Sequence, residues 1–270
     1  MNHLLRELAP ISEAGWAQIE DEAKTRLTTY LAARRLVDFE GPHGWTHSAY
    51  NLGRTAPAPG PSAEVTAVTR LVQPLVEFRA PFSLSRAELA TAERGNASVD
   101  LSALEHAARA IALAENGAVF HGYGPGGITG ITGNLSHDAI HAGSASDGDG
   151  WAQFPKAVAT GVERLLLAGI GGPYALALGD QTWVAVAEAT ERGSTLFDHL
   201  SRIVSGPIVW APGIEGALVV SQRGGDFVLS VGQDLSIGYS HHDAETVTLY
   251  FEESFTFTVL EEDAAVHLVS

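Results

Sequence analysis

The chain has no cysteine, a single methionine and only two lysines, Lys24 and Lys156, among its 270 residues. The absence of cysteine excludes disulfide bonds and cysteine-ligated metal sites, and it fits a reducing compartment. No apolar run approaches the ~20 residues that a membrane-spanning helix requires, and the first residues lack the charged and apolar regions of a signal peptide. The sequence therefore predicts a cytoplasmic protein with no membrane partner.

Positive charge is scarce as well. The 16 basic and 32 acidic residues give a net charge of -16. A protein that binds nucleic acid by neutralising phosphates carries an excess of Lys and Arg, so this composition argues against a nucleic-acid partner. The hydrophobic content of 45% is ordinary for a folded protein, and the length allows one large domain or two small ones.

Sequence motifs of catalytic chemistry are missing. The chain has no G-x-S-x-G and no H-E-x-x-H, and its glycine-rich stretch, residues 122–133, lacks the Lys-Ser/Thr pair of a phosphate-binding loop. Two pairs of histidines, His43 with His47 and His137 with His141, have a four-residue step but no helix or carboxylate partner to complete a metal site. We therefore predict no catalytic residue, no metal and no cofactor. An enzyme with a triad assembled from distant residues stays open as an alternative.

The last third of the chain, residues 217–260, is the richest in pattern. Apolar residues recur there at every second position, which is the period of a half-buried strand. Glycines between these runs suit turns and bulges. The pattern predicts three or more paired strands in one sheet, whose apolar face must be covered by the rest of the chain. The residues that carry the alternation are Val219, Phe227, Leu229, Val231, Val247, Leu249, Phe251, Phe255, Phe257 and Val259.

Three helices are predicted from periodicity and capping. The first follows Ser12, a possible N-cap, and carries apolar residues at three- and four-residue steps to Leu31. The second begins near Ser102, which forms a capping box with Glu105, and runs to about residue 120. The third spans residues 154–168 and ends at a glycine-rich stop.

A second lobe is predicted from alternating elements. We expect strands at residues 174–178 and 208–210, with helices at residues 183–189 and 196–204 between them. The glycine-rich residues 122–133 are interpreted as a hinge between this lobe and the terminal sheet.

Residues 51–83 predict an extended arm. Residues 51–62 contain three prolines and two glycines, and Pro74 and Pro81 interrupt the extended run that follows. Such an arm has no core of its own. Taken alone, such an arm could be a linker; otherwise its apolar residues, which include Val65, Val68, Leu71 and Val72, should be buried against another copy of the chain.

Several segments together resemble one family. ALVVSQRGGDF, VGQDLSIGY and ESFTF in the last third resemble encapsulins nearly residue for residue, and LLRELAPISEAGWAQIEDEA, RRLVDFEGPHGW, PFSLSRAEL and GPYALALG are similar to the same family in the same order. Encapsulins, here the linocin-like family 1, are bacterial shell proteins with the fold of tailed-phage capsid proteins. The resemblance spans almost the whole chain and is weakest at residues 121–150.

The resemblance implies an α+β, HK97-type capsid fold. Residues 1–50, 84–135 and 222–270 would form the peripheral domain, residues 51–83 the extended loop, and residues 136–221 the axial domain. It also implies a structural rather than an enzymatic role, in which the chain assembles with itself into an icosahedral shell. The smallest such shell has about sixty copies.

The resemblance further implies a partner enzyme inside the shell. The expected cargo is a dye-decolourising peroxidase or a ferritin-like, iron-storing protein with a short targeting peptide, and we favour the peroxidase. The residues matching the family's peptide-docking groove are Leu27, Leu31, Arg34, Asp38, Val231, Asp234 and Tyr239. Glu188, Glu191 and Arg192 match the loop that lines a pore for small molecules.

Three other classes of protein remain as alternatives. A phage-type major capsid protein would share the fold, but it would need an interior that tolerates DNA. A bacteriocin or protease-like enzyme would need catalytic motifs, which are missing. A soluble oligomer that never closes would bury the arm without forming a shell.

Overall fold

The computed structural model describes residues 3–143, 153–191 and 194–269. Within these ranges the chain forms six α-helices, which are α1 (Glu13–Tyr30), α2 (Arg86–Glu93), α3 (Ser102–His121), α4 (Phe154–Leu167), α5 (Asp180–Glu188) and α6 (Leu196–Val204). It also forms fourteen strands: β1 (Asp38–Glu40), β2 (Ala49–Ser62), β3 (Val65–Pro74), β4 (Val76–Ser85), β5 (Ile140–His141), β6 (Tyr174–Leu178), β7 (Thr190–Glu191), β8 (Ser194–Thr195), β9 (Ser205–Trp210), β10 (Ala217–Ser221), β11 (Phe227–Val231), β12 (Ser236–His242), β13 (Thr246–Val259) and β14 (Ala265–Val269). No helix in the described ranges is long and apolar enough to cross a membrane.

Helix α1 forms where the periodicity predicts it. The Ser12 hydroxyl accepts a hydrogen bond from the amide of Gly15 at 3.2 Å, which satisfies one of the free amides of the first turn. Gly15, Ile19 and Ala23 follow at four-residue steps and are buried. An N-cap of this kind contributes about 1 kcal/mol to helix stability.

Helix α3 starts at the predicted residue, but the predicted capping box is wrong. Ser102 is already inside the first turn, the residue before the helix is Leu101, and no side chain caps the helix from that position. The amide of Ser102 instead donates to the Asp100 carboxylate at 3.0 Å. The alanine-rich middle of α3 lets it lie close to its neighbours, and two polar residues, Glu115 and Asn116, are buried within it.

The first sheet carries the long strand β13. Strands β11 and β12 pair with one edge of β13, β4 pairs with the other, and β1 adds in parallel to β11. The apolar positions of β13, among them Leu249, Phe251 and Phe257, are buried. Helices α1 and α3 pack on the part of the sheet that holds Leu249 and Phe251. This arrangement supplies the cover that the alternating pattern requires.

The second sheet corrects one prediction. Strand β10 was expected to join the strands that follow it, but it pairs with β6 and β14 in the order β5-β14-β10-β6-β9. Gly224 and Gly225, with φ of 84° and 83°, form the turn that carries the chain from one sheet to the other. The alternation of apolar residues predicts a strand but not which strands pair with it, and this is why the partners of β10 were predicted wrongly. Helices α4 and α6 pack on this second sheet.

The arm consists of β2 and β3. These two strands pair antiparallel from Ala49 opposite Pro74 to Ser62 opposite Val65, with two breaks in register. The following strand, β4, belongs to the first sheet. The described part of the arm is therefore a two-stranded ribbon, and such a ribbon is marginal in water without a surface to pack on.

The glycine-rich stretch joins the two lobes through short 3-10 turns. A Cβ atom on Gly130 would lie 2.2 Å from the amide nitrogen of Gly122, so the backbone crosses itself too closely for a side chain. The ring of His121 contacts the carbonyl of Gly213 at 2.7 Å and the hydroxyl of Thr132 at 3.0 Å.

Candidate functional site

A groove of about 380 Å³ opens between α1 and the segment that leads into β12. Helix α1 forms one wall, because its residues 20, 23, 24, 27 and 28 fall on one helical face, and Leu31 follows directly after the helix. Residues 234–237 form the other wall. The apolar lining comes from Leu4, Leu27, Leu31, Leu235, Ile237 and Phe251.

Charged residues line the rim of the groove. Arg6 and Glu20 form an ion pair with each other, and the ammonium group of Lys24 adds a positive charge on α1. Arg34 and Asp234 form an ion pair at 2.8 Å across the groove, between the turn after α1 and the opposite wall. The groove is thus an apolar strip with charges at its edges, which suits a short amphipathic peptide.

Arg34 is held by a cluster of three carboxylates. Its Nε donates to Glu115 at 3.0 and 2.8 Å, and its Nη2 donates to Glu115 at 2.6 Å. Nη1 donates to Asp234 at 2.8 Å, and Nη2 also contacts Glu253 on β13. The side chains of Glu115 and Glu253 are 0% exposed, whereas Arg34 is 17% and Asp234 40% exposed. We call these four residues the Arg34 cluster.

Burial and neighbouring charges both shift the pKa values of Arg34 and Glu253. Burial disfavours the charge of Arg34, but the hydrogen bonds and the charge of Glu115 outweigh it and raise the pKa of Arg34 above its ordinary value. Burial raises the pKa of Glu253 well above its ordinary value, and the neighbouring Glu115 carboxyl adds to that rise. The charge of Arg34 lowers the pKa of Glu253 without cancelling the rise.

The structure brings together four of the seven residues expected at the docking groove, namely Leu27, Leu31, Arg34 and Asp234. The other three lie elsewhere in the single chain. Asp38 accepts a hydrogen bond from the Gly225 amide beside a separate concavity of about 280 Å³. Val231 is fully buried in the core. Tyr239 is half-buried, and its hydroxyl contacts Nδ1 of His242 at 2.6 Å.

Sequence reasoning missed several residues of this site. Leu235, Ile237 and Phe251 complete the apolar lining, and Glu115 and Glu253 hold Arg34. A signal for Leu235, Ile237 and Phe251 was the recurrence of apolar residues at every second position. A signal for Glu115 was its place on the apolar face of α3, where a charged residue needs a partner.

The residues expected to line a pore belong to the connection between α5 and α6. Glu188 is the last residue of α5 and is exposed. Glu191 ends β7, which pairs with β8 in a short antiparallel ladder. Arg192 lies outside the described residues.

Two surfaces of the single chain expose large apolar side chains. On the arm, Val65, Val68, Leu71 and Val72 are 49%, 64%, 37% and 45% exposed. In the lobe of the second sheet, a further set is exposed on α4, α5 and α6, consisting of Leu166, Leu167, Val184 and Phe197. Exposed apolar groups in clusters of this kind mark surfaces that bind other molecules.

No group of three or more His, Cys, Asp or Glu side chains in the described ranges is placed to hold a metal ion. The rings of His43 and His47 lie with their centroids 4.6 Å apart, in an irregular loop. His137 contacts the backbone carbonyl of Asp263 at 3.1 Å.

Comparison with known proteins identifies the family. The family model described as "Encapsulating protein for peroxidase" matches residues 1–256. This chain belongs to the encapsulin family. Encapsulin relatives named type 1 encapsulin shell protein cover the chain almost completely. The relative from Rhodospirillum rubrum is 47% identical over 99% of this chain and 96% of its own length. Those from Rhodococcus erythropolis and Mycobacterium tuberculosis are 42% and 38% identical, each over 99% of this chain and 100% and 99% of their own lengths.

Solved structures show the fold of this encapsulin. A virus-like particle from Pyrococcus furiosus matches with a TM-score of 0.62 and 15% identity, over 93% of this chain and 98% of that one. The capsid of an empty GTA particle matches with a TM-score of 0.54 and 16% identity, over 89% and 90% of the two chains. The prediction of an α+β, HK97-type capsid fold is confirmed. The encapsulin is a shell protein that forms a capsid-like homo-oligomer, and its relatives are named as structural proteins rather than enzymes.

Proposed function

We propose that this encapsulin builds a closed icosahedral shell in the cytoplasm around a cargo enzyme. The smallest closed shell of this symmetry contains about sixty copies. The observation that carries the proposal is the arm, a two-stranded ribbon whose four large apolar side chains are exposed in the single chain. Each of them contributes on the order of 1 kcal/mol when a neighbouring subunit covers it.

The proposed division of the subunit follows the two sheets. Strand β14 pairs with β10 in the second sheet, so we assign residues 265–269 to the axial domain together with residues 136–221. The peripheral domain keeps the first sheet with α1, α2 and α3. Strand β4 pairs with β13 over its whole length, so the proposed extended loop comprises β2 and β3.

The groove beside α1 is the proposed docking site for the cargo's targeting peptide. Leu27 and Leu31 face Leu235 and Ile237 across it, and such an apolar strip holds aliphatic side chains of an extended segment. One small groove gives weak binding. An oligomeric cargo that engages several subunits at once binds far more tightly, because each further attachment is intramolecular.

The proposed cargo is a dye-decolourising peroxidase, and a ferritin-like protein is the second candidate. The peroxidase is supported by the description of the matching family, which names an encapsulating protein for peroxidase. We also propose that the loop from Glu188 to Arg192 lines a pore. Its charges would repeat around a symmetry axis and select among small ions.

Co-expression with the peroxidase of the same organism tests the docking site. The double variant Leu27→Asp and Leu31→Asp places two charges in the apolar strip, so we expect intact shells with at least tenfold less peroxidase per particle. The matched control, Thr25→Asp and Thr29→Asp, adds the same charge on the exposed side of α1 that faces away from the groove. Equal loading of the groove variant and the control would contradict the docking proposal.

A further inference from the structure

The Arg34 cluster contains more carboxylates than its cation can balance. One guanidinium faces Glu115, Glu253 and Asp234, so three ionised carboxylates would leave a net charge of -2. Two of these carboxyl groups are completely buried. An unbalanced buried charge is costly, and a carboxyl group in that position takes up a proton instead.

Hydrogen bonding indicates which carboxyl group carries the proton. Both oxygens of Glu115 accept hydrogen bonds from Arg34, so each of them has a donor. Asp234 is partly exposed and accepts from Arg34 and from the amide of Leu235 at 2.8 Å. Glu253 contacts Arg34 through one oxygen only, and no donor in the described ranges reaches its buried Oε2. A proton on Glu253 removes the charge that is least compensated.

The titratable groups that face Glu253 come from three other segments. They are Arg34 from the turn after α1, Glu115 from α3 and Asp234 from the segment before β12. The neighbouring Glu252 lies on the opposite face of β13, where it contacts His3 and Arg79. Arg34 is thus the one cation that faces Glu253 among the described residues.

We propose that Glu115 and Glu253 are positioning residues of the docking groove, and that in the folded protein Glu253 holds the one proton of this buried pair, which we call the shared proton. In this state Arg34 stays bonded to Asp234 and fixes the end of α1 against the opposite wall. Loss of the proton puts two negative charges side by side in the interior, and they repel each other and compete for Arg34. We infer that the groove loosens and that docking weakens as the pH rises. The docking part of this inference rests on the proposed function, whereas the shared proton does not.

Infrared spectroscopy of the full chain tests the shared proton directly. A neutral carboxylic acid absorbs at a higher frequency than a carboxylate, so the difference spectrum between wild type and Glu253→Gln at pH 7 should show a neutral-carboxyl band. In Glu115→Gln this band should disappear at a lower pH than in wild type, because the neighbouring negative charge is gone. Glu93→Gln, at an exposed position on α2, should leave the band unchanged. The absence of a neutral-carboxyl band in wild type at pH 7 would overturn the proposal.

The pH profile of the protein gives a second test. Folding raises the pKa of Glu253. The free energy of unfolding should therefore fall as the pH rises above 4.5, the ordinary pKa of this carboxyl group. Glu253→Gln should remove this part of the dependence, whereas Glu93→Gln should retain it. Identical profiles for the wild type and the two variants would contradict the shared proton.

Docking is measured with the labelled C-terminal tail peptide of the enzyme that co-purifies with wild-type shells. We expect wild-type affinity to fall at least tenfold between neutral and alkaline pH, and the affinity of Glu253→Gln to stay constant. A decline of the same size in both proteins would overturn the positioning role. If wild-type shells bind no cargo at any pH, the proposed function fails. The infrared band still shows whether the shared proton is present.

Discussion

The arm and the terminal sheet bury their apolar residues by different means. In β11 and β13 the apolar side chains belong to the buried core of the same chain, and Phe255 and Phe257 are buried. In the arm, by contrast, four large apolar side chains of β3 remain exposed. The sheet is therefore covered within the single chain, whereas we propose that the arm is covered by other copies. On this proposal, folding and assembly depend on separate parts of the chain.

Deletion of residues 55–73 should have the largest effect. The deletion removes most of the ribbon and its exposed apolar residues but leaves both sheets and their helices. We expect a folded subunit with a normal circular dichroism spectrum that forms no particles in electron microscopy. Intact particles from this variant would show that assembly does not need the arm.

Truncation of a core residue should affect the sheet and not the arm. Phe257→Ala deletes a buried aromatic side chain of β13, and we expect the free energy of unfolding to fall by about 3–5 kcal/mol. Chemical denaturation of the dissociated subunit measures this change. A loss below about 1 kcal/mol would show that this part of the sheet is not the stability core.

The smallest effect on folding should come from the arm itself. Val68→Ser changes an exposed side chain, so the free energy of unfolding of the subunit should stay within about 0.5 kcal/mol of wild type. Assembled shells of the same variant should dissociate at a lower denaturant concentration, as light scattering would record. Equal loss of subunit stability in Val68→Ser and Phe257→Ala would remove the distinction between the two regions.

Sequence reasoning located most elements, because periodicity and stop signals are local. Strand β6 and helix α6 begin and end at the predicted residues, and α4 ends within one residue of its prediction. The partner of β10 was wrong, since alternation contains no information about which strands pair. The arm was predicted as extended, but the prolines and glycines behind that prediction do not show that its two strands pair with each other.

The candidate site was less predictable for a physical reason. Arg34 lies 81 residues from Glu115 and 219 residues from Glu253 along the chain, so no local pattern connects them. Their partnership depends on how α3 and β13 pack against the turn after α1. A buried carboxylate in an apolar stretch signals that a partner exists, but only the three-dimensional structure identifies that partner.

Native mass spectrometry of the purified chain at physiological concentration shows whether the chain assembles with itself. If the arm is buried only by neighbouring subunits, the chain should appear as one closed species of about sixty copies with almost no free subunit. A stable, monodisperse monomer would contradict the account, because the exposed ribbon would then need no partner.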